Sequence, residues 1–244
     1  MTRIAALLLL LVALCAAEPA LAQSVTLDLG GDDGTSTGRI VQLVVLMTVL
    51  SLAPSILVMV TSFTRIVVVL SFLRSALGVQ QTPPNAVIIS LALFLTGFVM
   101  APTLEQSYRD GVAPLMENKI TETEAMQRSM GPIRAFMVTH VREHDLKLFM
   151  DIANAPPPAT AAETPLRALI PAFMISELRR AFEIGFLLFL PFLIIDMVVA
   201  SLLMSMGMMM LPPVMISLPF KLIFFVLVDG WYLVAGSLVR SYGG

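Results

Sequence analysis

The sequence is short of charged residues, cysteine and histidine. Only 13% of its 244 residues are charged, against about 25% in a soluble globular domain, whereas 57% are hydrophobic. The formal net charge of −2 gives no basic surface of the kind that nucleic-acid binding needs. This balance excludes an ordinary soluble domain and indicates an integral membrane protein.

The only cysteine, Cys15, lies in a segment that we expect to be removed. Arg3 supplies a positive start, residues 4–17 are apolar, and residues 20–22 (ALA) fit a cleavage site. Residues 1–22 are therefore predicted to be a cleaved signal peptide, with a retained first helix as the alternative. Without Cys15 the mature chain has no disulfide, no thiolate chemistry and no cysteine-ligated metal.

Catalytic signatures are also scarce. The sequence has no glycine-rich phosphate loop, no G-x-S-x-G and no Walker sequence, so an ATP-driven pump would need a motor from another chain. His140, Glu143 and His144 do match the H-x-x-E-H zinc-protease motif. On one helix both imidazoles would share a face and could hold zinc, with Glu163 as a possible third ligand. The highly charged surroundings favour a solvated helix face, and a membrane-anchored zinc hydrolase remains an alternative.

Four apolar runs are long enough to form membrane-depth helices: residues 40–60, 86–104, 184–207 and 213–239. An amphipathic segment, residues 166–182, precedes the third run. The predicted fold is an all-α integral membrane protein with about four long, broken helices in hairpins and a small helical periplasmic domain. The predicted divisions are the signal peptide (1–22), a flexible periplasmic segment (23–39), a first membrane helix pair (40–104), the periplasmic domain (105–167) and a second helix pair with a methionine-rich turn (168–244).

Two connecting regions carry local signals. Arg65 and Arg74, with no acidic residue nearby, predict a cytoplasmic connection after the first run. Thr82 or Asn85 could cap the helix that follows. In the predicted periplasmic domain, residues 121–124 (TETE) predict a helix start. Apolar spacing predicts a helix over 132–151, and the prolines at 156–158 predict an extended linker.

Charged residues occur within or beside the C-terminal apolar runs. An isolated charge at membrane depth costs at least a few kcal/mol, so each should face protein or water and have a partner. Asp196 and Lys221 flank the methionine-rich turn and are expected to pair if the helices fold back, while Arg179 and Glu183 have i,i+4 spacing. Contacts between helices or subunits are favoured over a proton relay, because this stretch has no histidine. The residues predicted for this role are Glu177, Arg179, Glu183, Asp196, Lys221 and Asp229.

The most unusual stretch is residues 204–221, which holds six methionines, three of them consecutive. Gly207 and the pair Pro212–Pro213 should break the helix there. A broken backbone at membrane depth must be buried in protein or must line a cavity. One interpretation is a plain turn between buried helices. The other is a soft apolar constriction in a pore, because methionine side chains are flexible and polarizable.

Short motifs are spread along the chain: 62–65 (SFTR), 81–85 (QTPPN), 175–178 (ISEL), 181–186 (AFEIGF), 189–192 (FLPF), 206–213 (MGMMMLPP), 216–221 (ISLPFK) and 229–231 (DGW). Together they resemble the FliP family, the flagellar biosynthetic proteins of the type III export gate, which are related to the SctR proteins of injectisomes. The resemblance covers essentially the whole mature chain.

The resemblance implies a structural subunit with no enzymatic activity and no cofactor. Several copies would assemble with FliQ and FliR, beside FlhA and FlhB, in the flagellar basal body of the inner membrane. Unfolded export substrates would pass through the centre. The family's methionine cluster forms a gasket around the pore, and the matching residues are Met206, Met208, Met209 and Met210. An injectisome gate subunit is the near alternative. Ion-coupled solute transport, a third hypothesis, would need a closed site at mid-membrane.

Overall fold

The computed structural model describes residues 36–79, 81–156, 160, 163–208 and 210–243, and within these ranges the chain is helical with no strand. The predicted all-α fold is confirmed. The predicted signal peptide, residues 23–35 of the predicted flexible segment, Pro157, Pro158 and Met209 lie outside the described residues. The helices are α1 (Ser36–Val60), α2 (Phe63–Ala76), α3 (Asn85–Ser107), α4 (Ala113–Met116), α5 (Glu122–His140), α6 (Glu143–Ile152), α7 (Leu166–Ser205), α8 (Pro213–Leu227) and α9 (Gly230–Gly243).

In the described part of the chain, three segments are long and apolar enough to cross a membrane. They are Leu43–Val60 within α1, Asn85–Met116 and α7. Helices α8 and α9 pass the same test together, but they meet at a bend of 62°, so they form a fourth span only if the bend lies inside it. The prediction of about four long, broken membrane helices is confirmed.

Helix α7 is continuous over 40 residues, where the sequence predicts an amphipathic segment followed by a separate apolar run. The charged residues between the two do not end the helix, because arginine and glutamate are good helix formers. Arg179 and Glu183 form an ion pair across one turn, with Nε 3.0 Å from Oε1. At 1.5 Å per residue α7 is about 60 Å long, roughly twice the hydrocarbon thickness of a bilayer. A large part of α7 must therefore lie outside the lipid core.

Helix α2 is the centre of the compact unit that runs from Leu52 to Gly244. Ile66, Val69 and Leu73 on α2 are fully buried, and α3 and α7 pack against this helix. The sequence predicts a cytoplasmic connection between the first two runs, and the structure shows that these residues include the core helix α2. The cytoplasmic placement of this region stays a prediction. The buried neighbours of α2 are Ile88, Ala92 and Leu95 of α3, Ala181 and Phe192 of α7, Phe225 of α8, and Val234 and Leu238 of α9.

Residues 105–156 continue the helical pattern. Helix α3 runs through a π-helical turn, Tyr108–Val112, into α4, so the segment extends past the predicted end at residue 104. Thr121 caps α5 by accepting a hydrogen bond from the Glu124 amide at 3.3 Å, which confirms the predicted helix start. The helix predicted over 132–151 is divided, since Val141 and Arg142 are extended. The predicted cap of α3 is wrong, because Pro84 occupies that position without a side-chain cap.

Candidate functional site: a methionine turn beside buried ion pairs

The methionine turn, residues 206–211, joins α7 to α8 through a tightly bonded backbone. The Gly207 amide donates to the Met204 carbonyl at 3.1 Å, and the Met208 amide donates to the Leu203 carbonyl at 2.9 Å. This pair of bonds is the Schellman helix end, which requires a left-handed residue. Gly207 supplies it with φ of +74°. The helix break predicted at Gly207 and the prolines is therefore present and has a defined geometry.

The methionines of this turn point away from the rest of the chain. Met210 is 98% exposed and Met206 is 63% exposed, and Met208 is also exposed. Methionine is an apolar side chain that gains from burial, so the tip of this helical hairpin presents an apolar surface that a partner could cover. Three of the four predicted gasket residues thus share one exposed tip. Met209, the fourth, lies between them in sequence but outside the described residues.

A charged node ties the two helices of this hairpin together. Lys221 Nζ on α8 lies 2.6 Å from Asp196 Oδ2 on α7, so the structure brings together the two residues that the sequence expects to pair. Ser217 Oγ donates to the other carboxylate oxygen at 2.5 Å. Lys221 also donates to the carbonyl of Ala76, the last residue of α2, at 3.3 Å. The node therefore links α2, α7 and α8, about two to three helical turns from the methionine turn.

A second ion pair is buried deeper. Arg65 on α2 and Glu177 on α7 have side chains that are 1% and 0% exposed, and they form a two-pronged contact in which Arg65 Nε lies 2.9 Å from Glu177 Oε2. Two charges out of water are tolerated only when geometry and further hydrogen bonds compensate for the lost hydration. Glu177 is predicted from the sequence but its partner is not, because the two residues are far apart in the chain.

Helix α9 supplies further contacts that compensate the Arg65–Glu177 pair for its lost hydration. The Tyr242 hydroxyl donates to Glu177, and the Arg65 guanidinium carbon lies 3.8 Å from the centre of the Tyr242 ring. Arg65 Nη1 also donates to Ser241 Oγ at 3.0 Å. Tyr242 and Ser241 are not among the residues predicted from the sequence. The sequence feature that could have indicated Tyr242 is its position near the end of an apolar helix. The Arg65–Glu177 node thus links α2, α7 and α9.

We expect Tyr242→Phe to destabilise the protein, because it removes the hydroxyl donor from the buried Glu177 carboxylate and leaves the ring in place. The expected cost is about 1–3 kcal/mol, which corresponds to a fall of about 2–10 °C in the unfolding temperature. Thermal unfolding of the purified protein measures it. Tyr232→Phe is the matched control, because Tyr232 is exposed, and it should unfold as the wild type does. Equal unfolding temperatures for Tyr242→Phe and wild type would contradict the role of the hydroxyl.

The other charged residues that were predicted to make contacts between helices or subunits lie at the surface of the single chain. Arg179 and Glu183 pair with each other while both side chains are more than half exposed, at 56% and 60%. Asp229 is exposed at the bend between α8 and α9, where it has φ of +50°. Exposed pairs contribute little to stability on their own. These three residues therefore do not hold the single chain together as the two buried nodes do.

The H-x-x-E-H motif does not form the face that zinc binding would need. Helix α5 ends at His140, and His144 belongs to α6. The extended residues between the two helices break the i,i+4 relation, so the expectation of a shared helix face is wrong. Over the described ranges, no three His, Cys, Asp or Glu side chains are grouped so that they could hold a metal ion.

Comparison with known proteins identifies the family. Residues 46–238 match the FliP family. The chain is 65% identical to the flagellar biosynthetic protein FliP of Caulobacter vibrioides, over 93% of this chain and 86% of that protein. It is 56% identical to the protein of the same name in Bacillus subtilis, over 86% of this chain and 95% of that protein. For the flagellar biosynthetic protein FliP of Aquifex aeolicus the identity is 52%, over 83% of this chain and 85% of that protein. The chain therefore belongs to the FliP family, as its motifs predict, and is a membrane-embedded protein with a role in flagellar export.

Proposed function

We propose that this chain is a pore-forming structural subunit of the flagellar export gate, and that its methionine turn seals the pore around unfolded export substrates. The observation that carries the proposal is the exposed tip formed by Met206, Met208 and Met210, at the end of a helical hairpin. Several copies arranged around an axis would bring these tips together. Flexible thioether side chains could then close an empty pore or fit around a passing chain.

The two charged nodes support this role because they fix the hairpin that carries the turn. Asp196 and Lys221 clamp α7 to α8 near the turn, while Arg65 and Glu177 clamp α7 to α2 farther away. The turn has to keep its position in the pore while its side chains move to make room for an export substrate. A rigid hairpin with a soft tip provides both properties.

The surface of the chain supports assembly into a larger complex. Apolar side chains remain exposed along α7, among them Phe182, Phe186 and Met197, although α7 is too long to be covered by lipid alone. We propose that further copies and the FliQ and FliR subunits cover this surface, beside FlhA and FlhB. Exposed Arg179, Glu183 and Asp229 would then meet partners at subunit contacts. In this arrangement residues 105–167 form the periplasmic part, and the complex lies in the inner membrane at the basal body.

The native mass of the purified complex tests this assignment. We expect the detergent-extracted protein to run as one species containing several copies of this chain together with small membrane proteins. A solute transporter or a membrane-anchored hydrolase would run as a monomer or a small oligomer instead. Native mass spectrometry gives both the copy number and the masses of the companions. A homogeneous monomer from cells that assemble flagella would contradict the proposal.

A further inference from the structure

His140 joins the end of α5 to the end of α9, and both of its ring nitrogens meet acceptors. Nδ1 lies 2.8 Å from the Phe136 carbonyl oxygen, and Nε2 lies 3.4 Å from the Tyr242 carbonyl oxygen. A carbonyl oxygen can only accept a hydrogen bond, and a neutral imidazole has a single N–H. Neutral His140 can therefore satisfy one of these contacts, whereas the imidazolium can donate to both.

Two further features of the structure surround the His140 ring. His140 is the last residue of α5, a helix of 19 residues, and a cation at a helix C-terminus is stabilised by the helix dipole. Its ring also packs against the rings of Phe136 and Tyr242, with centroids 4.5 and 5.1 Å away. Aromatic rings at such distances attract cations.

Most of the charged groups on the elements around His140 are paired with each other. On α2 and α7, the Arg65–Glu177 pair contacts Tyr242, and Arg180 of α7 lies near that tyrosine. The elements around His140 also carry the pairs Arg109 with Glu105, Arg128 with Glu124, and Arg142 with Asp145, together with Asp110, Glu122, Arg134, Glu143 and Arg240.

An open cleft gives water access to this histidine. The cleft lies between the end of α3, the π-helical turn and α5, has a volume of about 720 Å³, and has His140 in its wall. Thr103, Gln106 and Thr139 make much of the remaining wall polar. A proton can therefore reach the ring from solvent.

We propose that His140 is a proton-sensitive latch between α5 and α9. A proton taken from water by the ring nitrogen that lacks one adds the second hydrogen bond and draws the end of α9 onto α5. Because Tyr242 supplies the acceptor and also holds the Arg65–Glu177 node, the latch tightens the buried core of the chain when the pH falls. Histidine is the side chain that changes charge between pH 5 and 8. This proposal does not depend on the methionine gasket.

Hydrogen–deuterium exchange of the full-length protein in its native complex tests the latch. Exchange is measured at pH 5.5 and pH 7.5, with labelling times scaled to the intrinsic pH dependence of amide exchange. The probe is the peptide that covers residues 236–243 at the end of α9. In the wild type we expect the protection of this peptide against amide exchange to be about threefold to tenfold greater at pH 5.5 than at pH 7.5. His140→Gln should remove this difference.

His144→Gln is the matched control, because His144 is exposed on α6, and it should keep the wild-type pH response. The core peptide of residues 166–177 reports whether each variant is folded. If His140→Gln unfolds, His140→Phe keeps the ring packing without an N–H and should also show no pH response. A wild type without pH-dependent protection, or an unchanged response in a folded His140 variant, would overturn the latch.

Discussion

Lys221→Met should sharply reduce the yield of assembled complex. The substitution leaves the Asp196 carboxylate, whose side chain is 28% exposed, with Ser217 as its remaining hydrogen-bond partner among the described residues. Breaking a buried ion pair on one side costs about 3–5 kcal/mol, and each 1.4 kcal/mol is about a tenfold change in an equilibrium. We expect the equilibrium constant for folding and assembly to fall by about a hundredfold. Size-exclusion chromatography of the membrane extract measures the assembled fraction.

Two controls separate the ion pair from a general loss of charge. Arg128→Ala removes one partner of an exposed pair on α5 and should change stability by less than about 1 kcal/mol. The double variant Lys221→Met, Asp196→Leu removes both charges of the buried node and should recover part of the yield, because no lone buried charge remains. Wild-type assembly in the single Lys221→Met variant would contradict the structural role of the node.

The pairing of Asp196 with Lys221 could be expected from the sequence because both lie at similar distances from one turn. An antiparallel hairpin brings such residues to the same height, whatever the rest of the fold does. The pairing of Arg65 with Glu177 had no such signal, since it joins helices that are not consecutive. The sequence context of Arg65 instead indicates a cytoplasmic charge, because the positive-inside rule considers position in the sequence and not burial. Distant contacts of this kind depend on how the helices pack.

The helices themselves were easier to predict than their ends. Long apolar runs identify the cores of α1, α3, α7 and α8, because hydropathy is summed over many residues. Their limits depend on single contacts, and these are not visible in composition. Helix α7 continues through Arg179 and Glu183 because both residue types favour a helix, and the two side chains pair across one turn. Helix α3 continues into a π-helical turn where Gly111 lies against α5, and an added Cβ there would come within 2.6 Å of the Ala125 carbonyl oxygen.

The methionine turn was identified from the sequence by its composition, and its shape came from the structure. Gly207 and the prolines explain why α7 ends and α8 begins where they do. Composition could not show that Met206, Met208 and Met210 stay exposed, because a methionine-rich turn folded against its own helices would have the same sequence. The exposure of these side chains is therefore the feature on which the pore interpretation depends most.

Replacing Met208, Met209 and Met210 together by alanine tests that interpretation most directly. Each substitution shortens a flexible apolar side chain to a methyl group without touching the Schellman bonds or the charged nodes, so assembly should be retained. A narrow apolar constriction excludes ions because it does not hold water. We expect the wider opening to pass ions on the order of tenfold faster or more. Met116→Ala, Met126→Ala, which shortens two exposed methionines elsewhere in the chain, is the control.

The measurement is ion leakage across membranes that contain equal amounts of assembled complex. We predict that the triple variant assembles at wild-type yield and leaks small ions, while the control double variant remains as tight as the wild type. A triple variant that assembles normally and stays tight to ions would contradict the claim that the methionine turn seals the pore.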